Sequence, residues 1–207
     1  MPWEHTVAYY PLTSSSTTND MKTSWTKYNL TSLWNTITYG TYQGVDCADF
    51  SWGGKCLKAD ITAIQTLTLS WWFYITQDGT YQGLMLAWGT AGSLFGSWYN
   101  KNLWLAITSW GNPETVGAKV ATWWHHICIT KKSWEGGKLY LDGSYNISQN
   151  NLTITWNQLV IWWHPTNYNR QDSFYGGASE IIYEDKERTA EEVLDYYDKT
   201  KANYGIS

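Results

Sequence analysis

Two short segments near the middle of the chain constrain its fold most. Residues 123–130 read WWHHICIT and residues 138–143 read KLYLDG, with the glycine-containing sequence SWEGG at 133–137 between them. Both segments are rich in β-branched and aromatic residues, and the second ends in Asp-Gly, a dipeptide that favours turns with positive φ. The pattern predicts a β-hairpin.

Similar segments recur along the chain and predict an all-β protein, an antiparallel β-sandwich of the jelly-roll type. The longest is residues 67–75 (LTLSWWFYI), and a Gly-containing hairpin region is expected between 84–88 and 103–107. The other predicted strands are 6–12, 54–59, 152–155, 158–162 and 174–183. Residues 21–46 mix aromatic residues with Thr and Asn, and this composition is compatible with either short strands or a long irregular segment.

One helix is predicted near the end of the chain, at about residues 189–201. Thr189 is a good N-cap, and Glu192 three residues later completes a capping box. One apolar stripe follows at helical spacing, formed by Ala190, Val193, Leu194 and Tyr197. We therefore expect a structural helix that packs this stripe on the sandwich.

Length and charge limit the classes of protein. The 207 residues fit one all-β domain spanning 1–207. The net charge is −4 and there is no Lys/Arg cluster, which excludes nucleic acid as the expected partner. No apolar run reaches the roughly 18 residues of a membrane span.

The first six residues contain neither the basic nor the apolar segment of a signal peptide, so export by the usual route is not supported. A virion component released by lysis, a processed fragment and an intracellular protein all stay open.

The chain has three cysteines, Cys47, Cys56 and Cys128. Their odd number argues against a disulfide framework, and we expect free thiols rather than a bridge between Cys47 and Cys56. Cys128 falls inside a predicted strand and is most simply a small buried apolar residue.

The order of these blocks resembles the laminin-G-like jelly rolls of the concanavalin A-like lectin and glucanase superfamily. The matching blocks are residues 7–12 (opening strand), Gly54 and Leu57 ("G-x-A-L", with Cys56 for Ala), 69–73 ("I-S-A-W-V"), 124–127 and 139–143 (central hairpin), 174–183 ("F-x-G-x-I-D-E-V-R-I-Y") and 188–193 (the closing helix). The resemblance implies the sandwich fold and, for most members, carbohydrate binding. Because one such fold hosts many activities, it does not identify the ligand.

The resemblance also bears on cofactors. Some members bind calcium near the closing strand, but the family's Asp before the closing Glu is replaced here by Ser179. Because hard cations prefer several anionic oxygens, the loss of this Asp argues against a calcium site, and no cofactor is expected. Four acidic residues are the remaining candidates for calcium ligands. These are Asp20, Asp46, Asp49 and Glu180.

Catalytic motifs are absent from the sequence. Glucanases of this superfamily carry a Glu-x-Asp-x-Glu type motif on one strand, and the chain has none. Glu180 and Glu184 share a face of a strand, but lie roughly 13 Å apart at strand rise, too far for a retaining pair of carboxylates. We therefore expect no enzyme activity; a glycosidase or lyase with an unrecognised site is the least favoured alternative.

Metal binding is the less favoured interpretation of the histidines. His126 and Cys128 share a face of a strand, and His164 is a third candidate ligand. A packed, hydrogen-bonded histidine in a structural hairpin is the preferred interpretation, so no metal site is predicted.

The aromatic content points to a binding surface. Sixteen Trp and sixteen Tyr exceed what a core requires, and rings on loops can stack on the flat faces of sugars while amides hydrogen-bond their hydroxyl groups. Three segments are predicted to be exposed loops of this kind: 96–102, 110–112 and 163–170. The candidate ligand-binding residues are Trp163, His164, Asn167, Tyr168, Arg170, Trp98, Tyr99 and Trp110. For Trp163 and Tyr168, the equally weighted alternative is that the rings cover a sheet edge.

Two functions follow as hypotheses. The first is a non-catalytic carbohydrate-binding or adhesion module for a glycan or cell-surface polysaccharide, placed outside the cell or on a virion surface. The second is a structural subunit of a larger assembly, such as a virion surface, fibre or capsid-decorating protein, which buries its rings against further copies or neighbours. The two roles are compatible with each other.

Overall fold

The computed structural model of the chain describes residues 4–14, 28–32, 35–50, 55–62, 64–76, 82–89, 93–99, 102–108, 114–149, 156–161 and 175–207, with the backbone alone in the strands between 82 and 119. Within these ranges, fifteen strands form two antiparallel sheets. The predicted β-sandwich is therefore confirmed.

The first sheet contains both the N-terminal and the C-terminal strands. In spatial order its strands are β13 (Ser144–Gln149), β12 (Gly137–Leu141), β11 (Trp124–Lys131), β6 (Leu67–Ile75), β15 (Gly176–Glu184), β4 (Val45–Asp49) and β3 (Thr38–Tyr42). Strand β1 (Thr6–Tyr10) also pairs with β15, with Tyr10 opposite Ile181.

The second sheet is built mainly from the middle of the chain. In spatial order its strands are β10 (Glu114–Lys119), β9 (Asn102–Thr108), β8 (Ser93–Tyr99), β7 (Gln82–Gly89), β14 (Trp156–Ile161), β5 (Leu57–Asp60) and β2 (Thr31–Ser32). The hairpin region expected between residues 84 and 107 is thus formed by β7, β8 and β9.

The hydrophobic core lies between the sheets. Its largest cluster joins first-sheet residues such as Trp71 and Ile127 to second-sheet residues such as Leu159 and Ile161, all fully buried. The other face of the first sheet is also covered, because Trp72, Trp124 and Cys47 pack against Tyr204 near the C terminus. Burial on both faces explains why β6 is almost continuously apolar or aromatic instead of alternating.

The cover of this outer face is the helix α1 (Ala190–Thr200), followed by a 3₁₀ helix (Lys201–Tyr204). Thr189 caps α1, and its capping box with Glu192 is formed as predicted. The predicted apolar stripe is partly wrong. Val193 and Tyr196 are the buried residues of the helix, whereas Leu194 is 45% exposed and Ala190 is exposed.

The predicted central hairpin is confirmed. Strands β11 and β12 pair in register, with Ile127 opposite Leu141. Asp142 and Gly143 then turn the chain into β13 with φ values of 49° and 75°, the left-handed conformation that the Asp-Gly dipeptide favours.

All three cysteines are buried free thiols, as expected. Burial raises the pKa of each to about 12, since a thiolate would lose its hydration there. None of the helices in the described part of the chain is both long and apolar enough to cross a bilayer.

Candidate functional site

Most of the aromatic and polar residues predicted to bind ligand lie outside the described part of the chain. These are Trp110, Trp163, His164, Asn167, Tyr168 and Arg170. Trp98 and Tyr99 are described by their backbone, and the predicted exposed loop at 96–102 is wrong there. Strand β8 continues through Tyr99 and β9 begins at Asn102, which pairs with it, so only two residues connect the strands. The role of these residues in binding stays a prediction.

The described aromatic side chain that reaches furthest into solvent is Trp134, at the tip of the β11–β12 hairpin. It is 94% exposed. Its backbone has φ of 65°, in the left-handed region that bulky residues rarely adopt. Exposure of an indole and a left-handed backbone both cost free energy, and such outliers concentrate at functional positions.

Hydrogen bonds fix the loop that carries Trp134. On one side of the indole, the Ser133 backbone N–H donates to Thr66 Oγ1 at 3.0 Å. On the other side, the Glu135 backbone N–H donates to the Lys132 carbonyl at 3.0 Å. The two bonds anchor the residues that flank the ring, so the ring is presented on an ordered support.

A buried lysine reinforces the same loop. Lys131 is 1% exposed, and its Nζ donates to the carbonyl oxygens of Gln65 at 3.1 Å and Lys132 at 3.0 Å. Desolvation lowers the pKa of Lys131. A cation held by two carbonyl dipoles ties the hairpin to the segment that precedes β6 and so restrains the loop that carries Trp134.

A second feature is a cavity of about 320 Å³ between α1 and the closing strand β15. It is lined by His5, Glu180, Glu184, Lys186, Arg188, Glu192, Asp195, Tyr196, Lys199 and Thr200. The two glutamates that the sequence placed on one face of a strand, Glu180 and Glu184, therefore do line one space.

Glu180 lies at an irregularity of β15. Ser179 pairs with Trp72, but Ile182 pairs with Ser70, so β15 has one residue more than its partner strand, a β-bulge. Glu180 has φ of 53°. Its Oε2 accepts a hydrogen bond from the Tyr204 hydroxyl at 3.2 Å, and its Oε1 accepts one from Tyr9 at 3.4 Å.

The two glutamates differ in their electrostatics. Burial raises the pKa of Glu180, while hydrogen bonds from Tyr204, Tyr196 and Tyr9 act in the opposite direction. Glu184 is instead held by Arg188 in a bidentate pair. The guanidinium of Arg188 thus occupies both oxygens of Glu184.

The histidines of β11 have structural partners. His125 Nδ1 lies 2.7 Å from Asp142 Oδ2, which joins the strand to the following turn. His126 is packed between the rings of Trp72 and Tyr196, as predicted. Neither of its ring nitrogens has a hydrogen-bond partner among the described residues, so the predicted hydrogen bond of this histidine is not found there. Its pKa is lowered to about 3 by burial and by the nearby Arg188. In the part of the chain that is described, no group of three or more His, Cys, Asp and Glu side chains is arranged to hold a metal ion.

Sequence reasoning did not select Trp134. The residue stood in the turn of the predicted hairpin, among Ser, Glu and Gly, where an indole has no role in forming the turn. A large ring at a position that favours small residues was the available signal.

The geometry defines an antiparallel β-sandwich that presents an aromatic ring on one of its hairpins. No family model and no curated protein matches the sequence, whereas many solved structures match the fold. The binding domain of Paraclostridial Mosquitocidal Protein 1 superposes with a TM-score of 0.76 at 13% identity, over 98% of this chain and 55% of that one. The botulinum neurotoxin serotype D binding domain gives 0.72 at 11% identity, over 94% of this chain and 52% of that one.

A third similar structure has nearly the same size as this chain. Domain 4 of AbnA, a GH43 extracellular arabinanase from Geobacillus stearothermophilus solved in complex with arabinotriose, gives a TM-score of 0.71 at 16% identity and covers 92% of this chain and 97% of that one. The chain spans about half the length of the two toxin binding domains. At these identities the likeness establishes the fold, and the three structures named are two toxin binding domains and one domain of an arabinanase.

Proposed function

We propose that the chain is a non-catalytic carbohydrate-binding or adhesion module that contacts glycan through aromatic rings on its loops, outside the cell or on a virion surface. The observation that carries the proposal is Trp134, 94% exposed on a left-handed backbone and held by an ordered loop. The sandwich is assigned, within the same proposal, to the laminin-G-like group of the concanavalin A-like superfamily.

The similar structures support a binding role. Domain 4 of the arabinanase was solved with arabinotriose, and the toxin fragments are named as binding domains. A flat indole on a rigid support matches the C–H face of a sugar ring, and the rigidity lowers the cost of ordering the contact.

The test is glycan binding by the whole chain. A glycan array identifies a ligand, with arabinotriose as the first soluble probe in calorimetry. Trp134→Ala is expected to weaken binding about tenfold or more, the equivalent of roughly 1.4 kcal/mol, whereas Trp134→Tyr retains a stacking ring and most of the affinity. Trp163→Ala and Tyr168→Ala test the rings predicted from sequence in the same assay.

Tyr145→Ala is the matched control, because Tyr145 is also an exposed ring, at 56%, but lies on β13 away from the hairpin tip. The proposal fails if no glycan binds the unmodified chain. It also fails for Trp134 if the alanine variant binds as tightly as the parent.

A structural subunit of a larger assembly is the second candidate. The observation that favours it is that Trp134, Tyr145 and Leu194 each expose a large apolar side chain that a neighbouring subunit would cover. Light scattering over a concentration series separates the two functions, since a chain that stays monomeric at every concentration excludes self-assembly.

A further inference from the structure

His126 is a buried titratable side chain at the joint between the first sheet and α1. It is 1% exposed, and neither of its ring nitrogens has a hydrogen-bond partner among the described residues. Its ring lies 5.2 Å from that of Trp72 on β6 and 5.1 Å from that of Tyr196 on α1, measured between centroids. An imidazole in such a place is tolerated while it is neutral, because a buried charge needs a counter-charge or hydrogen bonds.

The charged groups around this joint would not neutralise a protonated ring. Burial and the guanidinium of Arg188, just before α1, both lower the pKa of His126, and Glu184 is already held by Arg188. Asp142, in the turn after β12, accepts a bond from the backbone N–H of His126 at 2.9 Å and lies 2.7 Å from His125 Nδ1. A proton on His126 would therefore create a cation near another cation, with both carboxylates engaged elsewhere.

The other titratable groups that face the joint do not act in the same direction near neutral pH. Burial raises the pKa of Glu180 on β15, which accepts a hydrogen bond from Tyr196, so protonation of Glu180 favours the docked helix as the pH falls. The remaining groups are tyrosines and a thiol, whose pKa values are raised by burial and which stay neutral below pH 7. These are Tyr140, Tyr196, Tyr197, Tyr204 and Cys128.

The helix can leave the sheet without breaking a strand pairing. α1 and the 3₁₀ helix belong to neither sheet. Their buried side chains are Val193, Tyr196 and Tyr204. Two of these three meet at the joint, because Tyr196 packs on His126 and Tyr204 stacks on Trp72 with centroids 4.0 Å apart. A charge on the histidine therefore acts on most of the buried contact that holds the helix.

We propose that His126 is an acid switch, whose protonation releases α1 and the 3₁₀ helix from the first sheet while the sandwich stays folded. Release uncovers the outer face of the sheet, including Trp72 and Cys128. The pKa of His126 is about 3 with the helix docked and returns to about 6.5 when the ring reaches water. Each pH unit below 6.5 therefore favours the released helix by up to about tenfold. The switch is separate from Trp134 and does not depend on glycan binding.

Thiol labelling of the whole chain measures the release. Cys128 packs against Val193 of α1 and becomes accessible when the helix leaves. Cys56 is buried beside β5 of the second sheet and is the internal control. The chain is labelled with 4,4′-dithiodipyridine, which reacts in mild acid, at pH 7.5 and pH 5.5, and each cysteine is followed by peptide mass spectrometry. The ratio of the Cys128 rate to the Cys56 rate cancels the pH dependence of the reagent, and should rise severalfold, up to about tenfold, in acid.

Two variants complete the test. His126→Phe keeps a ring at the joint that cannot take up a proton, and its labelling ratio should be equal at the two pH values within about twofold. Glu180 and His125 are unchanged in this variant, so its difference from the parent isolates His126. His5→Gln is the matched control, because it removes an exposed histidine that pairs with Asp185, and it should respond to acid as the parent does.

Two results would overturn the inference. The first is a labelling ratio in the parent that is equal at both pH values, whether because neither cysteine is exposed or because the whole sandwich unfolds and exposes both. The second is a rise of parental size in a folded His126→Phe chain. If the phenylalanine variant does not fold, His126→Gln takes its place as a side chain that stays uncharged, and the same criterion applies.

Discussion

Arg188 and Glu184 form a bidentate ion pair just before the start of α1, with Nε to Oε2 at 2.6 Å and Nη2 to Oε1 at 3.0 Å. The two side chains are only 8% and 3% exposed, so each depends on the other for its charge to be tolerated. Four residues separate them in sequence, and the pair ties the end of β15 to the segment that leads into the helix.

Removing one partner should therefore be costly. Glu184→Gln leaves the guanidinium buried without its counter-charge, and we expect a loss of about 3–5 kcal/mol in the free energy of unfolding, measured by urea denaturation. Asp195→Asn is the control, because its pair with Lys199 is exposed and should contribute less than about 1 kcal/mol. Equal effects of the two substitutions would contradict this account.

His126 should make stability depend on pH. The unfolded chain takes up a proton near pH 6.5, but burial lowers the pKa in the folded chain to about 3. Between these values the unfolded state binds more protons, so the histidine contributes its full stability above pH 6.5 and loses up to about 1.4 kcal/mol per pH unit below it.

The measurement is the free energy of unfolding of the parent and of His126→Phe from pH 7 to pH 4. The difference between them should change with pH in favour of the variant as the solution becomes acidic. Tyr197→Phe, a nearby ring that does not titrate in acid, should shift stability equally at every pH. Parallel curves for the parent and His126→Phe would show that the histidine is not the group that titrates.

Gly177 should tolerate no side chain. A Cβ at this position would lie 2.7 Å from Cys47 Sγ and 2.7 Å from Tyr42 Cδ2, whereas a Cβ at Gly40 would meet nothing within 4 Å. Gly177→Ala is therefore expected to cost about 1–3 kcal/mol through overpacking, and Gly40→Ala less than about 0.5 kcal/mol. Thermal unfolding of the two variants checks this, and a neutral Gly177→Ala would mean that the neighbouring strand can move.

Trp134 is predicted to contribute to binding at the expense of stability. Its φ of 65° suits glycine, so Trp134→Gly should be more stable than Trp134→Ala by about 1 kcal/mol in urea denaturation, although glycine is usually the less stabilising residue. Both should lose glycan affinity. If the alanine variant were the more stable of the two, the left-handed backbone at the hairpin tip would be in doubt.

The strands that pack on both faces were the most predictable from the sequence. Residues 67–75 were placed without error because eight of the nine positions are buried and the segment is mostly apolar or aromatic. The capping box at Thr189 was equally clear, since it depends on two residues three positions apart. Local signals of this kind do not need knowledge of the rest of the fold.

What the sequence did not reveal depends on contacts between distant segments. The helix buries Tyr196 and exposes Leu194 because its orientation is set by the outer face of the first sheet, not by its own hydrophobic pattern. The irregularity at Glu180 cannot be read from local residues, because it is defined by the register of β15 against β6. The two-residue connection after Tyr99 replaced a predicted loop because the pairing of β8 with β9 outweighs the loop-forming tendency of Asn and Gly.

The pairing of β1 with β15 brings Thr6 opposite Glu184, so the opening and closing strands of the chain are hydrogen-bonded neighbours. During synthesis on the ribosome, the first strand emerges long before its partner has been translated. The first sheet is therefore incomplete until β15 has left the exit tunnel, and the aromatic strands made earlier stay exposed to solvent until then. A chain interrupted before residue 176 would lack the strand that joins β6 to β1 and β4, and would be a substrate for chaperones and proteases rather than a smaller folded domain.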